Sequence, residues 1–412
     1  MQRLISVYNE YPKPFWVLML GTFIDRLGGY LLFPFFALYI TDRFDVGLIQ
    51  VGYLFAIFSV ASSIGGMLGG AFTDKFGRRT MLIFGLVISG LSSLLMGIID
   101  NLNLFYAFAG VVGLVSNAGG PAQQAMIADL LPDEKRTEGY GMHRVVFNVS
   151  AAIGPAMGGF LAASLGYMAL FIADAVTSAI TALIVYFAIP ETKPALEEGQ
   201  KEETIVQSVG GYGTVLRDRA YMFFLFVTTL STIVYVQMNT TMSVFLRDQH
   251  GIDANGYGLI LALNAAMVVF MQFWITRQIK GAPAMIIMTL GTLLYAIGFG
   301  MYGFGSSLLY FMFAMVVITI GEMLVAPVGS TLIARFSPEH MRGRYMAFFG
   351  FTWGIAFAIG PLLAGYVNDF IDPNWVWYGA FVIGLVSTMG YFSMHFADRK
   401  RIAEPEESPA GS

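Results

Sequence analysis

The sequence predicts an all-α membrane protein of twelve transmembrane helices in two six-helix bundles. Three observations carry this prediction. First, 56% of the 412 residues are hydrophobic and only 12% are charged, and mean hydropathy is +0.67. A soluble fold needs roughly twice that share of charge to cover itself in water. Second, the apolar residues lie in continuous runs of about 20 to 28, the length a helix needs to cross a bilayer. Third, lysine and arginine collect in alternate loops, as expected when one side faces the cytoplasm.

In chain order the runs fall at 14–40, 47–71, 80–99, 104–131, 139–164, 167–189, 220–245, 256–275, 283–304, 307–335, 345–367 and 375–396. A β-barrel would show alternating segments of about ten residues instead. The first run is too long for a cleaved signal peptide and has no small-residue exit site. With both termini cytoplasmic, Arg43 and Arg247 alone among the 23 basic residues fall in outer loops, while Arg26 and Arg144 fall inside helices. An odd number of helices would scatter this bias. Residues 1–189 are expected to form the first bundle, 190–219 a cytoplasmic linker, 220–397 the second bundle and 398–412 a disordered cytoplasmic tail. The chain is expected to be a multi-pass protein of a membrane.

The two halves are related. Displaced by half its length, the chain aligns Pro121 with Pro327, Pro132 with Pro338, Arg136 with Arg342 and Pro155 with Pro361. Gly154 and Gly159 align with Gly360 and Gly365 in the same ungapped window. Parallel six-helix repeats of this kind place a binding site at the repeat interface.

Several chemistries are excluded. The chain has no cysteine, so disulfides and thiolate chemistry are absent. No Gly-Lys pair exists for a phosphate-binding loop, and no Gly-x-Ser-x-Gly elbow for a hydrolase. The four histidines are scattered and make no metal cluster. Neither composition nor charge suits nucleic acid. The chain is read as a monomer that is no enzyme, with no cofactor and no metal, whose partners are a small-molecule substrate, protons and the lipid bilayer.

Two motifs stand out. After the second run comes G-x-x-x-D-K-x-G-R-R, with Gly70, Asp74, Lys75, Gly77, Arg78 and Arg79. Gly70 permits close helix contact, Asp74 sits where a carboxylate can meet a helix N-terminus, and Gly77 allows a tight turn. A plain topogenic basic turn is the alternative reading. The fifth run holds Gly141, Ser150, Gly154, Pro155, Gly158 and Gly159. Proline there kinks a helix, and the glycines allow close crossing; Gly360 and Pro361 repeat the pattern in the eleventh.

The first motif resembles the hallmark loop of the major facilitator superfamily. The second is similar to the glycine-proline motif of that superfamily's drug/proton antiporters, with Ser150 in place of one glycine. Gly321-Glu322-Met-Leu in helix ten resembles bacterial multidrug-efflux members. The resemblance spans all twelve helices and implies alternating access, with proton-driven efflux of hydrophobic or amphiphilic drug-like compounds. A proton-coupled importer of peptides or other nutrients, and a non-transporting receptor, are the alternatives. It further implies a conformational latch of Gly70, Asp74, Gly77 and Arg78, with Asp129 as partner. Helices five and eleven would pack on helices eight and two. Helix four lacks the arginine of the antiporter motif, which leaves Arg144 as a substitute or as a snorkelling anchor.

Ionisable groups deep in hydrocarbon cost several kcal/mol each. Asp25 and Arg26 lie roughly 17 Å into helix one at 1.5 Å per residue, and Glu322 lies about midway along helix ten. Asp25 and Glu322, with Arg26 and Arg144 nearby, are proton-coupling candidates; permanent ion pairing is the other reading. Asp174, six residues into helix six, is expected at a solvated rim. By resemblance, helices one, four, seven and ten line the cavity. The cavity candidates are Tyr30, Phe33, Asn117, Asn148, Tyr235, Gln237 and Asn239.

Overall fold

The computed structural model describes residues 10–116, 119–193, 212–337 and 342–403. Among them are twelve helices long and apolar enough to span a membrane, and no strand. They are α1 (Lys13–Phe44), α2 (Leu48–Phe76), α3 (Arg78–Ile98), α4 (Leu102–Ser116 and Gly119–Leu130), α5 (Asp133–Leu165) and α6 (Met168–Ala188). The series continues with α7 (Arg219–Thr240), α8 (Ala254–Gln278), α9 (Ala284–Met301), α10 (Leu308–Phe336), α11 (Arg342–Phe370) and α12 (Pro373–Ala403). Short helices at Tyr212–Arg217 and Met242–His250 flank α7, and a 3₁₀ turn at Phe33–Phe35 interrupts α1.

Local chemistry sets these boundaries. Pro12, Pro132 and Pro283 stand just before α1, α5 and α9, where a missing N–H costs nothing. The Ser307 hydroxyl accepts from Tyr310 N at the start of α10. Two boundaries differ most from the sequence reading. Helix α5 begins at Asp133, because Pro132 starts it and the polar first turns are good helix formers; Arg144 therefore lies roughly 16 Å along it. Helix α12 runs past Asp398 to Ala403, since no glycine or proline intervenes before Pro405. Those residues are helical, not the start of a disordered tail.

The chain divides into two compact units that do not follow its halves. The first contains 1–201 with 239–266 and 361–369; the second contains 202–238, 267–360 and 370–412. In the first unit α1 packs on α5 and α6, α3 on α6, and α2 on α4. Its core gathers Phe15, Leu18, Met81, Leu82, Met126, Ile127 and Val185, at the end where α1 begins, here the near end. In the second unit α9 packs on α10 and α12, and its core holds Tyr221, Phe224, Met288, Tyr345 and Tyr391.

Lipid tails are as apolar as leucine, so close backbone approach holds such helices together. Gly291 and Gly321 let α9 and α10 touch backbone to backbone, and Gly384 seats α12 on Ala296 of α9. Large apolar side chains such as Phe187, Phe270 and Leu309 point outward, as lipid-facing residues do.

Candidate functional site

The near end of the first unit is a network of charge and backbone. Gly77 is the single residue between α2 and α3, at φ +96°, a conformation that favours glycine. A Cβ there would also strike the Glu191 carboxylate. Glu191 Oε1 accepts from Arg78 N at 2.8 Å and Arg79 N at 3.4 Å, so it caps the start of α3. It also accepts from the N–H groups of Thr192 and Lys193, each at 3.0 Å. Partial burial pushes this carboxyl up, but the backbone donors of Lys193, Arg78, Arg79 and Thr192 outweigh it and hold it below its ordinary range. Arg78 Nε meets Asp129 Oδ2 at 3.2 Å, the two side chains 14% and 17% exposed. Asp129 also accepts from Thr192 Oγ1 at 3.2 Å. The sequence reading paired Arg78 with Asp129 and missed Glu191; an acid right after Pro190, beyond α6, was the available signal. Gly70 and the Asp74 side chain lie outside the described residues.

The far end of this unit is closed by glycine seams. Gly159 of α5 faces Gly258 of α8, where an added Cβ would lie 2.8 Å from Ala254 O and 3.1 Å from Gly258 Cα. The carbonyl of Pro155 lies 3.2 Å from where a Cβ on Gly258 would stand. On the other side α11 crosses α2: a Cβ on Gly365 would lie 2.6 Å from Ile49 backbone atoms, and one on Gly52 would lie 2.9 Å from Pro361 O. Asp369 then caps α2, accepting from Leu48 N at 3.1 Å and Ile49 N at 2.8 Å. Arg247 pairs with Asp42 and Asp248, and Arg43 with Asp100.

Gly154 and Gly158 seat α5 on Tyr30 and Leu31 of α1. Gly141 does not share this role. It is exposed, with nothing within 4 Å of where its Cβ would stand. Thirteen residues at about 100° each turn it to the opposite face from Gly154.

Within the first unit a cavity of about 270 Å³ is lined by α1, α2, α3, α4 and α6. Asp25, Arg26, Thr22 and Gln123 give it a polar wall. Gln123 Nε2 donates to Thr22 Oγ1 at 2.6 Å, and Ser178 Oγ donates to Asp25 Oδ1 at 3.0 Å. The Arg26 guanidinium lies 5.0 Å from the centre of the Phe147 ring, a cation–π distance, and Tyr30 meets that ring edge-on. Asp174 is not at a solvated rim. It is 7% exposed and accepts from Ser93. Its helical face turns toward α1, where Gly28 leaves room for it.

In the second unit Gly321 points into the α9 seam. Glu322, about 100° further round α10, is half-buried and accepts from Tyr235 Oη of α7 at 3.1 Å. Tyr235 packs on Tyr295 at 5.5 Å and edge-on to Trp353 at 5.9 Å, and Trp353 stacks on Phe357. Of these rings Tyr295 is buried and Trp353 is 40% exposed.

The remaining cavity candidates are dispersed. Phe33 packs edge-on against Phe55. Arg144 and Asn148 are exposed on α5, and Asn239 is half-buried. Gln237 is buried: it donates to Ile233 O of its own helix and lies against Gly360 of α11. Asn117 lies outside the described residues. No group of three metal-ligating side chains exists among the described residues.

The family model for the Major Facilitator Superfamily matches residues 18–287 and 238–411. Among curated relatives, a Na(+), Li(+), K(+)/H(+) antiporter of Planococcus maritimus is 27% identical over 431 residues, covering 96% of this chain and 99% of its own. Multidrug resistance protein 2 of Bacillus subtilis is 27% identical over 270 residues, 64% of this chain and 66% of its own. Among solved structures, a POT family transporter in complex with a thioalcohol conjugated peptide matches with TM-score 0.78 at 14% identity, covering 94% of this chain and 96% of that one.

Proposed function

Since the chain belongs to the major facilitator superfamily and is a multi-pass membrane transporter, not an enzyme, we propose that it exports hydrophobic or amphiphilic cationic compounds in exchange for protons. The observation that carries this reading is Glu322. A carboxyl in a membrane span, held by the Tyr235 hydroxyl beside Tyr295 and Trp353, suits two alternative occupants. As carboxylate it attracts a cation that stacks on the rings; as carboxylic acid it releases that cation and carries a proton back. Exclusive occupancy is what antiport requires, because a carrier loaded with both or neither would uncouple the gradients. Asp25 and Arg26 in the first unit are assigned to the same proton cycle. Alternating access would present the site first to one side and then to the other, with both termini cytoplasmic and the inner membrane as the location. Asp74, Arg78 and Asp129 would latch the cytoplasmic end.

A second reading, exchange of an alkali cation for protons, is favoured by the similarity to the Planococcus antiporter. Reconstituted protein in proteoliposomes separates the two. Under an imposed pH gradient the wild type is expected to accumulate ethidium, and Glu322→Gln to lose accumulation while keeping downhill flux. Equal accumulation by both proteins refutes the Glu322 assignment. Proton flux elicited by Na⁺ or K⁺ but not by ethidium transfers the cargo to the second reading.

A further inference from the structure

Pro327 stands inside α10. Proline has no N–H, so residue 327 returns no helical bond to the carbonyl of Met323 one turn earlier, and its ring presses that carbonyl aside. Met323 is fully buried. A bare peptide carbonyl is costly in a membrane span, where a neighbouring helix must supply the missing donor.

The donor comes from α8. Gln272 Nε2 donates to Met323 O at 3.0 Å. It also donates to Thr276 Oγ1 at 3.0 Å, one turn along its own helix. Both protons of the amide are thus committed, and the threonine hydroxyl fixes the direction in which it points. Gln272 interrupts an apolar run from Ala265 to Ile275, and its neighbours Phe273 and Trp274 are exposed, as lipid-facing residues are. An amide among them needs a polar partner inside the protein, and the Met323 carbonyl is that partner.

The placement matters because Met323 adjoins Glu322. This stretch of α10 is held from three directions, all within the second unit. A Cβ on Gly321 would stand 2.6 Å from Gly291 O of α9, so the two backbones touch there. Tyr235 of α7 donates to the Glu322 carboxylate at 3.1 Å. Gln272 of α8 holds the carbonyl of the next residue. Without that third hold, the gap left by Pro327 lets α10 bend between 323 and 327, and Glu322 moves relative to Tyr235.

We propose that Gln272 is a positioning residue for the Glu322 site: its amide bridges the break that Pro327 makes in the α10 backbone and so holds Glu322 against Tyr235. The proline supplies a hinge and the amide a removable pin. This rests on the reading of Glu322 as the coupling acid and names what sets its position.

The chain has no cysteine, so Glu322→Cys places a single thiol at the position in question. Purified full-length protein in detergent is alkylated with N-ethylmaleimide. Gln272→Leu, similar in size but without a donor, is expected to speed alkylation about tenfold, the scale of one buried hydrogen bond lost. Adding Pro327→Ala restores an N–H for Met323 O, and the rate is expected to return to that of the parent. A variant that is merely misfolded is not repaired by this second substitution. An unchanged rate in Gln272→Leu, or an acceleration that Pro327→Ala leaves in place, overturns the bridge. With Glu322 present, in proteoliposomes, Gln272→Leu is expected to raise the ethidium concentration for half-maximal uptake by a similar factor while the maximal rate is kept, and Pro327→Ala to reverse the change. A half-maximal concentration that Gln272→Leu does not move overturns the positioning role. If the wild type moves no ethidium, the reading of Glu322 fails, and the thiol pattern still decides whether Gln272 holds the turn.

Discussion

The crossing of α2 and α11 gives a sharp test of how the far end closes. Gly365→Ala adds one methyl group, which would stand 2.6 Å from the Cα and N of Ile49. These are backbone atoms and cannot swing aside. Carbon contacts are comfortable at about 3.5 to 4.0 Å, so the seam must part by about 1 Å. Overpacking of this kind costs about 1–3 kcal/mol. The cost falls on the closed far end and is absent once the helices separate. At 1.4 kcal/mol per decade, the balance shifts toward an open far end by roughly 5- to 150-fold. The chain has no cysteine, so a single cysteine can report the shift. Val51 is 1% exposed in α2, between Ile49 and Gly52, the two residues of α2 at the crossing. In a Val51→Cys background, alkylation by an impermeant maleimide added from the far side should accelerate by that factor when Gly365→Ala is introduced. An unchanged alkylation rate would refute the idea that this glycine seam holds the end shut.

Three further outcomes follow from the charged ends of the first unit. Asp369→Asn should act in the same direction on the same reporter. Losing a carboxylate from the start of α2 costs about 0.3–1 kcal/mol at an exposed helix end, roughly a two- to fivefold faster alkylation, and high salt should erase the difference. Glu191 is held below its ordinary range, so its contribution to stability is present above the unfolded-state value of 4.5 and is lost as pH falls through the folded value. Glu191→Gln should therefore lower the thermal midpoint in detergent at neutral pH, and the wild type should converge on the variant in acid; parallel curves at every pH would sink the cap. For Arg78 and Asp129, a double-mutant cycle on thermal stability should return a coupling of about 1 kcal/mol, the upper end for partly exposed pairs; additive single effects would show that the ion pair contributes nothing.

The spans were legible because bilayer thickness imposes a length that no soluble fold imposes, and because basic residues sort by side. Arg78 and Asp129 were legible as a pair because each lies at a helix end on the same side of the membrane. Burial direction was not legible in the same way. Asp174 lies six residues into α6, a depth compatible with either a wet rim or a helix seam. The difference is made by Gly28 on another helix, which opens room on the face that Asp174 presents. Hydropathy along one helix cannot carry that information. Gly141 failed for the converse reason: the spacing of a motif counts residues, whereas contact depends on angle, and thirteen residues of α-helix end on the opposite face. Gln237 likewise turns toward Gly360 and donates to Ile233 O of its own helix, a local backbone bond of the kind open to polar side chains in any helix.

The far end of the first unit also explains why contact units and chain halves disagree. Segments 239–266 and 361–369 join the first bundle through small residues and charges. Gly159 meets Gly258, Gly365 meets Ile49, Asp369 caps α2, and Arg247 pairs with Asp42. The buried aromatic contact there is Phe35 on Tyr257. Interlocked large side chains would make separation of these helices costly, because buried shapes must be unpacked before anything moves. Backbone crossings at glycine keep attraction high while the surfaces stay smooth, and exposed ion pairs exchange readily with water. Such a closure is firm enough to hold one state and cheap enough to break once per cycle. The α1–α6 seam is built differently: serine hydroxyls donate to Asp25 and Asp174, and Gly28 makes room for Asp174, contacts that must be unpacked before the two helices part.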